Sequence, residues 1–366
     1  MKPKFELTPW QKKQAALLYL FASDEYLYGL LKRVQELQNF ADSLLDQSRT
    51  EGRDLFLKSA LWGERDTSEN WSNHAWSFLA DFGLSVVRDI ADRASGIYHV
   101  TGAYQCYRGM SEYSLLWTTP AEQEIFDTMF ASVSKYASYI DDTMNTSDCA
   151  GRWNDFGLCV TWEKYKETFK NLPKFRVRED LICKSDDIPP KTGVYFSSDF
   201  PDGTLQFAWN GNEYGKLREC AIFNDLGQKA LAAVGRSKLW LDEDAMLAFV
   251  QKNAKAPELL EDSFYEDAFT PKLAPSFVAR NAFTSAPSKW YYVELIDGEF
   301  EQIDTEANRV ELEEQRVEAY KPCEASGFYF TPASSNSRRY FTRGEIFPAV
   351  SSVYGNTIWQ WDENQQ

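Results

Sequence analysis

The chain has 366 residues, 43% of them hydrophobic and 15% aromatic, which excludes a disordered polypeptide and gives room for two or three cores. Against 39 Lys and Arg stand 55 Asp and Glu, a net charge of -16 that excludes general affinity for a nucleic-acid backbone and favours basic partners. The six cysteines (Cys106, Cys149, Cys159, Cys183, Cys220, Cys323) form no CxxC, and His74 and His99 are the only histidines, so a zinc site lacks ligands and the thiols read as buried and free in a reducing compartment.

In chain order, residues 15–22 form an apolar run too short and too closely flanked by charge to span a membrane; a cytoplasmic protein without membrane contact is expected. Helical periodicity then dominates to about residue 172. Thr8-Pro9 starts one helix and Ser23-Asp24 a long amphipathic second one. A break at 49–53 leads to a short segment ending at Trp62-Gly63. Thr67 or Ser68 caps a helix that Gly96 stops, residues 104–117 read as helical, Thr119-Pro120 starts another helix, and the last runs over about 155–169, ended by Pro173. Five or six helices with short connections predict an antiparallel bundle over 1–175.

Beyond Pro173 short β-branched and aromatic runs alternate with Gly, Pro, Asn and Asp. Residues 188–209 (IPPKTGVYFSSDFPDGTLQFAW) and 321–347 (KPCEASGFYFTPASSNSRRYFTRGEIF) share a rhythm: a small hydroxyl residue, a glycine, an apolar residue and Tyr-Phe, then a polar turn and another aromatic strand. Each reads as a β-hairpin, with Gly193, Tyr195, Gly327 and Tyr329 as structural positions. Helical periodicity returns at 224–234 and 242–254, an acidic connector covers 257–275, and residues 290–303 read as a hairpin turning at Asp297-Gly298. The expected architecture is α+β: the bundle, then 176–366 with two related antiparallel β modules at about 186–256 and 283–366 and a few helices.

No P-loop, GxGxxG, HExxH or GxSxG occurs, and no cofactor is expected. Asp141-Asp142 could contribute to a metal site in a helical enzyme, but a second acidic pair at matching spacing is missing, so a solvated pair is the simpler account. His74 and His99 read as packed or surface residues, and Arg338, Arg339 and Arg343 as a mixed solvent face.

The run 322–332 (PCEASGFYFTP), with Ser337-Arg338-Arg339-Tyr340-Phe341, Gly344-Glu345 and Tyr354-Gly355-Asn356-Thr357-Ile358-Trp359, resembles the C-terminal signature of bacterial polymorphic-toxin immunity proteins. The families in question are the immunity families numbered seventy-one and seventy-two, often encoded beside type VI secretion effectors. The resemblance implies a cytoplasmic, non-enzymatic inhibitor that binds one cognate toxin domain. The acidity fits a basic, nucleic-acid-targeting toxin, with candidate contacts at Glu258, Glu261, Asp262, Glu266 and Asp267 and at Glu294, Asp297, Glu299 and Glu301. The alternatives are a metal-dependent enzyme around Asp141 and Asp142, or an adaptor whose β modules bind peptides.

Overall fold

A computed structural model describes residues 5–145, 152–302, 316–323, 327–332, 334, 337–342, 344–350 and 357–362. The fold is α+β, in two compact units, Met1–Glu301 and Gln302–Gln366. The division thus falls far beyond the change of texture at Pro173, because the first helices and the first sheet share a core.

The helices begin where local chemistry requires. α1 (Pro9–Phe21) and α5 (Pro120–Met144) open with capping boxes, Thr8 with Gln11 and Thr119 with Glu122, and both have proline in the first turn. Ser23 and Thr67 cap α2 (Asp24–Glu51) and α3 (Ser68–Arg93) by accepting a backbone N–H three residues on. Each such cap is worth about 1 kcal/mol. α4 (Ala103–Met110) is shorter than the expected 104–117, the remainder being turns, and α6 is Asp155–Tyr165.

Pro173 does not merely end a helix. It lies within β1 (Leu172–Lys184), the edge strand of an antiparallel sheet of order β1-β6-β2-β3, where a residue without N–H is tolerated. β2 (Gly193–Ser197) and β3 (Gln206–Ala208) form the expected hairpin. β6 (Lys289–Glu301) is one continuous strand, so no hairpin turns at Asp297-Gly298. Lys174 pairs with Ile296 and Pro173 with Phe300, so residues 297–299 form a bulge, with Gly298 at φ 73°. Left-handed glycine serves a bulge as readily as a turn, and the long partner β1 is available.

The sheet is covered on both faces. Toward the bundle, Val194, Phe196, Phe207, Tyr291 and Val293 are buried. Phe5 packs on Phe196 and Tyr291, Tyr98 on Phe207, and α1 sends Tyr19 to the Val293 carbonyl (2.5 Å). On the other face Cys183, Tyr195, Ala208, Leu217, Cys220, Trp290 and Tyr292 make a second core. Gly193 sits where both tyrosines close in: a β-carbon there would lie 2.6 Å from Tyr292 Cε2 and 2.8 Å from the Tyr19 hydroxyl.

Between β3 and β6 the chain inserts the pair β4 (Cys220–Phe223) and β5 (Phe283–Ala286) around α7 (Asp225–Val234), α8 (Glu243–Lys252), α9 (Pro257–Leu260) and α10 (Ala274–Asn281). The acidic stretch 257–275 is therefore no linker: Leu259, Ala268 and Ala274 are buried in a core with Phe249 and Phe277. Asp155, at the start of α6, ties this insertion to the bundle. Its buried carboxylate accepts from Trp10 Nε1 (2.7 Å), Trp240 Nε1 (2.8 Å) and Arg236 (2.5 Å).

The second unit holds β7 (Arg316–Glu318), β8 (Gly327–Phe330), β9 (Arg339–Phe341) and β10 (Ile358–Trp361) around Cys323, Tyr329, Phe341, Phe347 and Trp359. Residues 283–301, expected in this module, belong to the first sheet and its insertion instead. The strand order is β7-β10-β8-β9, the same first-fourth-second-third antiparallel arrangement as β1-β6-β2-β3. The register matches as well. Gly193 faces Ala208 and Gly327 faces Phe341, while Tyr195 faces Tyr292 and Tyr329 faces Trp361. The shared sequence rhythm at 193–196 and 327–330 thus marks a repeat of topology.

Candidate partner interface

Four of the carboxylates singled out from acidity are engaged within the chain. Glu294 bridges Arg176 and Arg178, Glu299 pairs with Lys174 and Glu301 with Lys12. Asp262 accepts from the Phe264 backbone N–H and from Asn281 and pairs with Arg280; the Asn281 hydrogen bond is the main reason its carboxyl is held below the usual range. Glu258, Glu261, Glu266 and Asp297 make no ion pair among the described residues. The Asp267 side chain lies outside the described residues, as do Cys149 and Arg343.

Asp141 and Asp142 do not form a solvated pair. Asp141 accepts from the Thr101 N–H (2.5 Å) and hydroxyl (3.1 Å), tying α5 to the turn before α4. Burial pushes its carboxyl up to about 7, with Asp142 and Asp89 adding to the rise. Burial likewise lifts Asp142 and Asp89 to about 6, and Asp89 Oδ2 has no hydrogen-bond partner. Among the described residues no three His, Cys, Asp or Glu side chains are arranged to hold a metal. His74 stacks on Tyr113, and His99 lies 3.1 Å from Asp92. A cleft of about 350 Å³ lies among Arg152, Trp153, Gln206, Glu219 and Phe283. Gln206 in its wall has its amide engaged by the Arg218 N–H and the Glu219 carbonyl.

The feature that sequence reading passed over is the segment between α2 and α3. Leu55 and Phe56, in the 3-10 turn Arg53–Phe56, are 77% and 87% exposed; Leu61 and Trp62 are 87% and 65% exposed. Leu116, beside the Trp117 carbonyl that Arg53 reaches, is also exposed. Large apolar side chains so exposed and so close in sequence are unusual on a folded surface unless something docks there.

The segment is firmly held. Ser59 and Gly63 exchange both backbone hydrogen bonds (3.0 and 2.8 Å), and the Ser59 hydroxyl accepts from Leu61 N and Trp62 N. Gly63 supplies the left-handed φ of 59° that the tight turn requires. At the base, Arg53 forks onto Glu122 (2.7 and 3.1 Å) and contacts Glu51; its guanidinium holds the Glu122 carboxyl down at about 2. Asp54 accepts from Ser68 N, Ser68 Oγ and Glu69 N at the start of α3, where the helix dipole favours an anion. The backbone beneath the apolar side chains is thus tied down by hydrogen bonds at both ends, which lowers the ordering cost of binding. The segment itself is balanced, with Arg53, Lys58 and Arg65 against Asp54, Glu64 and Asp66, while Glu69 at the start of α3 and Glu124 and Asp127 on the first turns of α5 add negative charge.

No protein-family model, curated protein or solved structure matches the chain. Among the described residues no helix is long and apolar enough to cross a membrane.

Proposed function

We propose that the protein is a stoichiometric inhibitor of the immunity type, acting in the cytoplasm on a basic, nucleic-acid-targeting toxin domain, and that the segment 53–66 is its principal contact. The observation that carries this reading is the pinned apolar tip of Leu55, Phe56, Leu61 and Trp62 on an acidic end of the bundle. Binding energy concentrates in a few exposed aromatic and aliphatic anchors that become fully desolvated. Acidic ground around them speeds encounter with a basic partner and raises specificity. No turnover is required, and the likeness of the C-terminal motif to immunity proteins supports the same reading.

The test is co-expression with the product of the adjacent gene, which this reading expects to be a toxin domain. Growth rescue and co-purification of a one-to-one complex are expected. Trp62→Glu and Leu61→Glu should weaken the complex by about 100-fold or more, the loss of hot-spot anchors, while thermal unfolding stays unchanged. Rescue insensitive to both substitutions would remove the contact assignment, and absence of any complex would remove the function.

A further inference from the structure

A small aromatic pocket lies beside the base of the apolar segment. Trp117, whose carbonyl Arg53 reaches, packs on Trp71, and Trp71 forms part of a pocket of about 180 Å³. Five rings build it: Trp71 of α3, Tyr107 of α4, Tyr113 in the turns that follow, and Phe126 and Phe130, one turn apart on α5. Trp71 and Phe126 are buried, whereas Tyr107 is 58% exposed. Phe130 lies near-parallel to both Tyr107 and Phe126, with ring centres 6.2 and 6.1 Å apart. One carboxylate joins the rings. Asp127 lines the same pocket, is exposed, and its carboxylate makes no ion pair or hydrogen bond among the described residues.

We infer that this pocket seats an arginine side chain presented by a partner protein, an inference that rests on the reading of a basic partner. Its size suits a single side chain, since small-molecule clefts run to about 300–1,000 Å³. An apolar residue would cover the rings but would also strip water from the Asp127 carboxylate without pairing it. A cation satisfies both, because the negative faces of aromatic rings attract it as the carboxylate does. Of the two basic side chains, arginine alone has a flat head, which lies along a ring face while offering two N–H groups to one carboxylate. The chain uses that arrangement internally. Arg236 lies 5.2 Å from the Trp10 ring centre and 6.0 Å from that of Phe223 while it pairs with Asp155. Near the pocket in sequence, Glu112 and Glu124 outweigh Arg108, the one basic residue of α4, so the local charge also favours an incoming cation.

The probe is arginine blocked at both ends as acetyl and methylamide, titrated into the full chain labelled with fluorotryptophan. Fluorine NMR reads the Trp71 resonance, assigned by its loss in Trp71→Phe. A saturable shift is expected, at least about tenfold weaker for blocked citrulline, which keeps the shape and loses the charge. Asp127→Asn should weaken it by about tenfold and Tyr107→Ala by about fivefold. Both side chains are exposed, so far-ultraviolet circular dichroism should not change. Trp62→Glu should leave the shift as it is, which separates the pocket from the apolar tip. No saturable shift, citrulline or blocked lysine binding as well as arginine, or indifference to Asp127→Asn would overturn the inference. So would self-association that Asp127→Asn abolishes, which would make a second copy the occupant. The blocked amino acid needs no toxin: a saturable shift without any complex removes only the toxin reading, and a complex without the shift removes only the pocket.

Discussion

Asp155 shows how much one buried side chain can carry. Its carboxylate holds two indoles and a guanidinium from two segments, α1 and the connection between α7 and α8. Asp155→Ala leaves those donors unpaired in the interior and should cost about 3–5 kcal/mol, read as a lower urea midpoint; Asp155→Asn, which keeps one acceptor oxygen, should cost less. At Gly193, alanine must push into Tyr292 and the Tyr19 hydroxyl at a left-handed φ of 149°, so Gly193→Ala should destabilise by about 2 kcal/mol or more. Chemical denaturation of Gly193→Ala with and without Tyr19→Phe distinguishes the clash from the backbone strain. The buried acids make the third case. Asp89, Asp142 and Asp141 are raised to about 6, 6 and 7, against about 3.9 unfolded. Between those limits the folded chain binds more protons than the unfolded one, so these groups make stability fall as pH rises from about 4 to about 7, with the full penalty present above that window. Melting temperature should therefore be higher at pH 5 than at pH 8, and Asp89→Asn should flatten the difference and raise the value at pH 8.

At the scale of elements, the apolar finger and the paired sheets divide what a sequence discloses from what it withholds. Starts at Thr8, Ser23, Thr67 and Thr119 were legible because a cap bonds its own helix within three residues. The two Gly-x-Tyr-Phe hairpins were legible for the same reason of locality. The partner of β6 was not: Lys289 pairs with Lys184, more than a hundred positions earlier, and the Asp-Gly signal is common to bulges and turns. The finger was hidden differently. Leu55, Phe56, Leu61 and Trp62 look like core residues, and only tertiary structure shows that nothing covers them. The available hint was that these residues follow neither helical nor strand periodicity between two capped helices. The ion pairs of the acidic candidates were hidden from the opposite side, since nothing local shows that Glu294 faces Arg176 and Arg178 across strands.

For the whole molecule, two sheets of one topology are fitted out differently. The first carries a long helical insertion between its third and closing strands and has helical cover on one face and a second core on the other; the second connects its third and closing strands directly and is built around one aromatic core. The proposed toxin contact belongs to the first unit, whose segment between α2 and α3 presents the exposed apolar residues.

The insertion has one further consequence. β6 lies between β1 and β2, and so is the middle of the first sheet, yet it is the last of that sheet's strands to be synthesised. While the ribosome is still making the four helices of the insertion, β1 has no neighbour in the sheet, and Tyr19 has no Val293 carbonyl to meet. The nascent chain therefore holds the edge of β2 that β6 will pair with open until residue 301 has left the exit tunnel, and closure then depends on contacts of long sequence separation, which form slowly. During that interval the growing polypeptide is most in need of a chaperone.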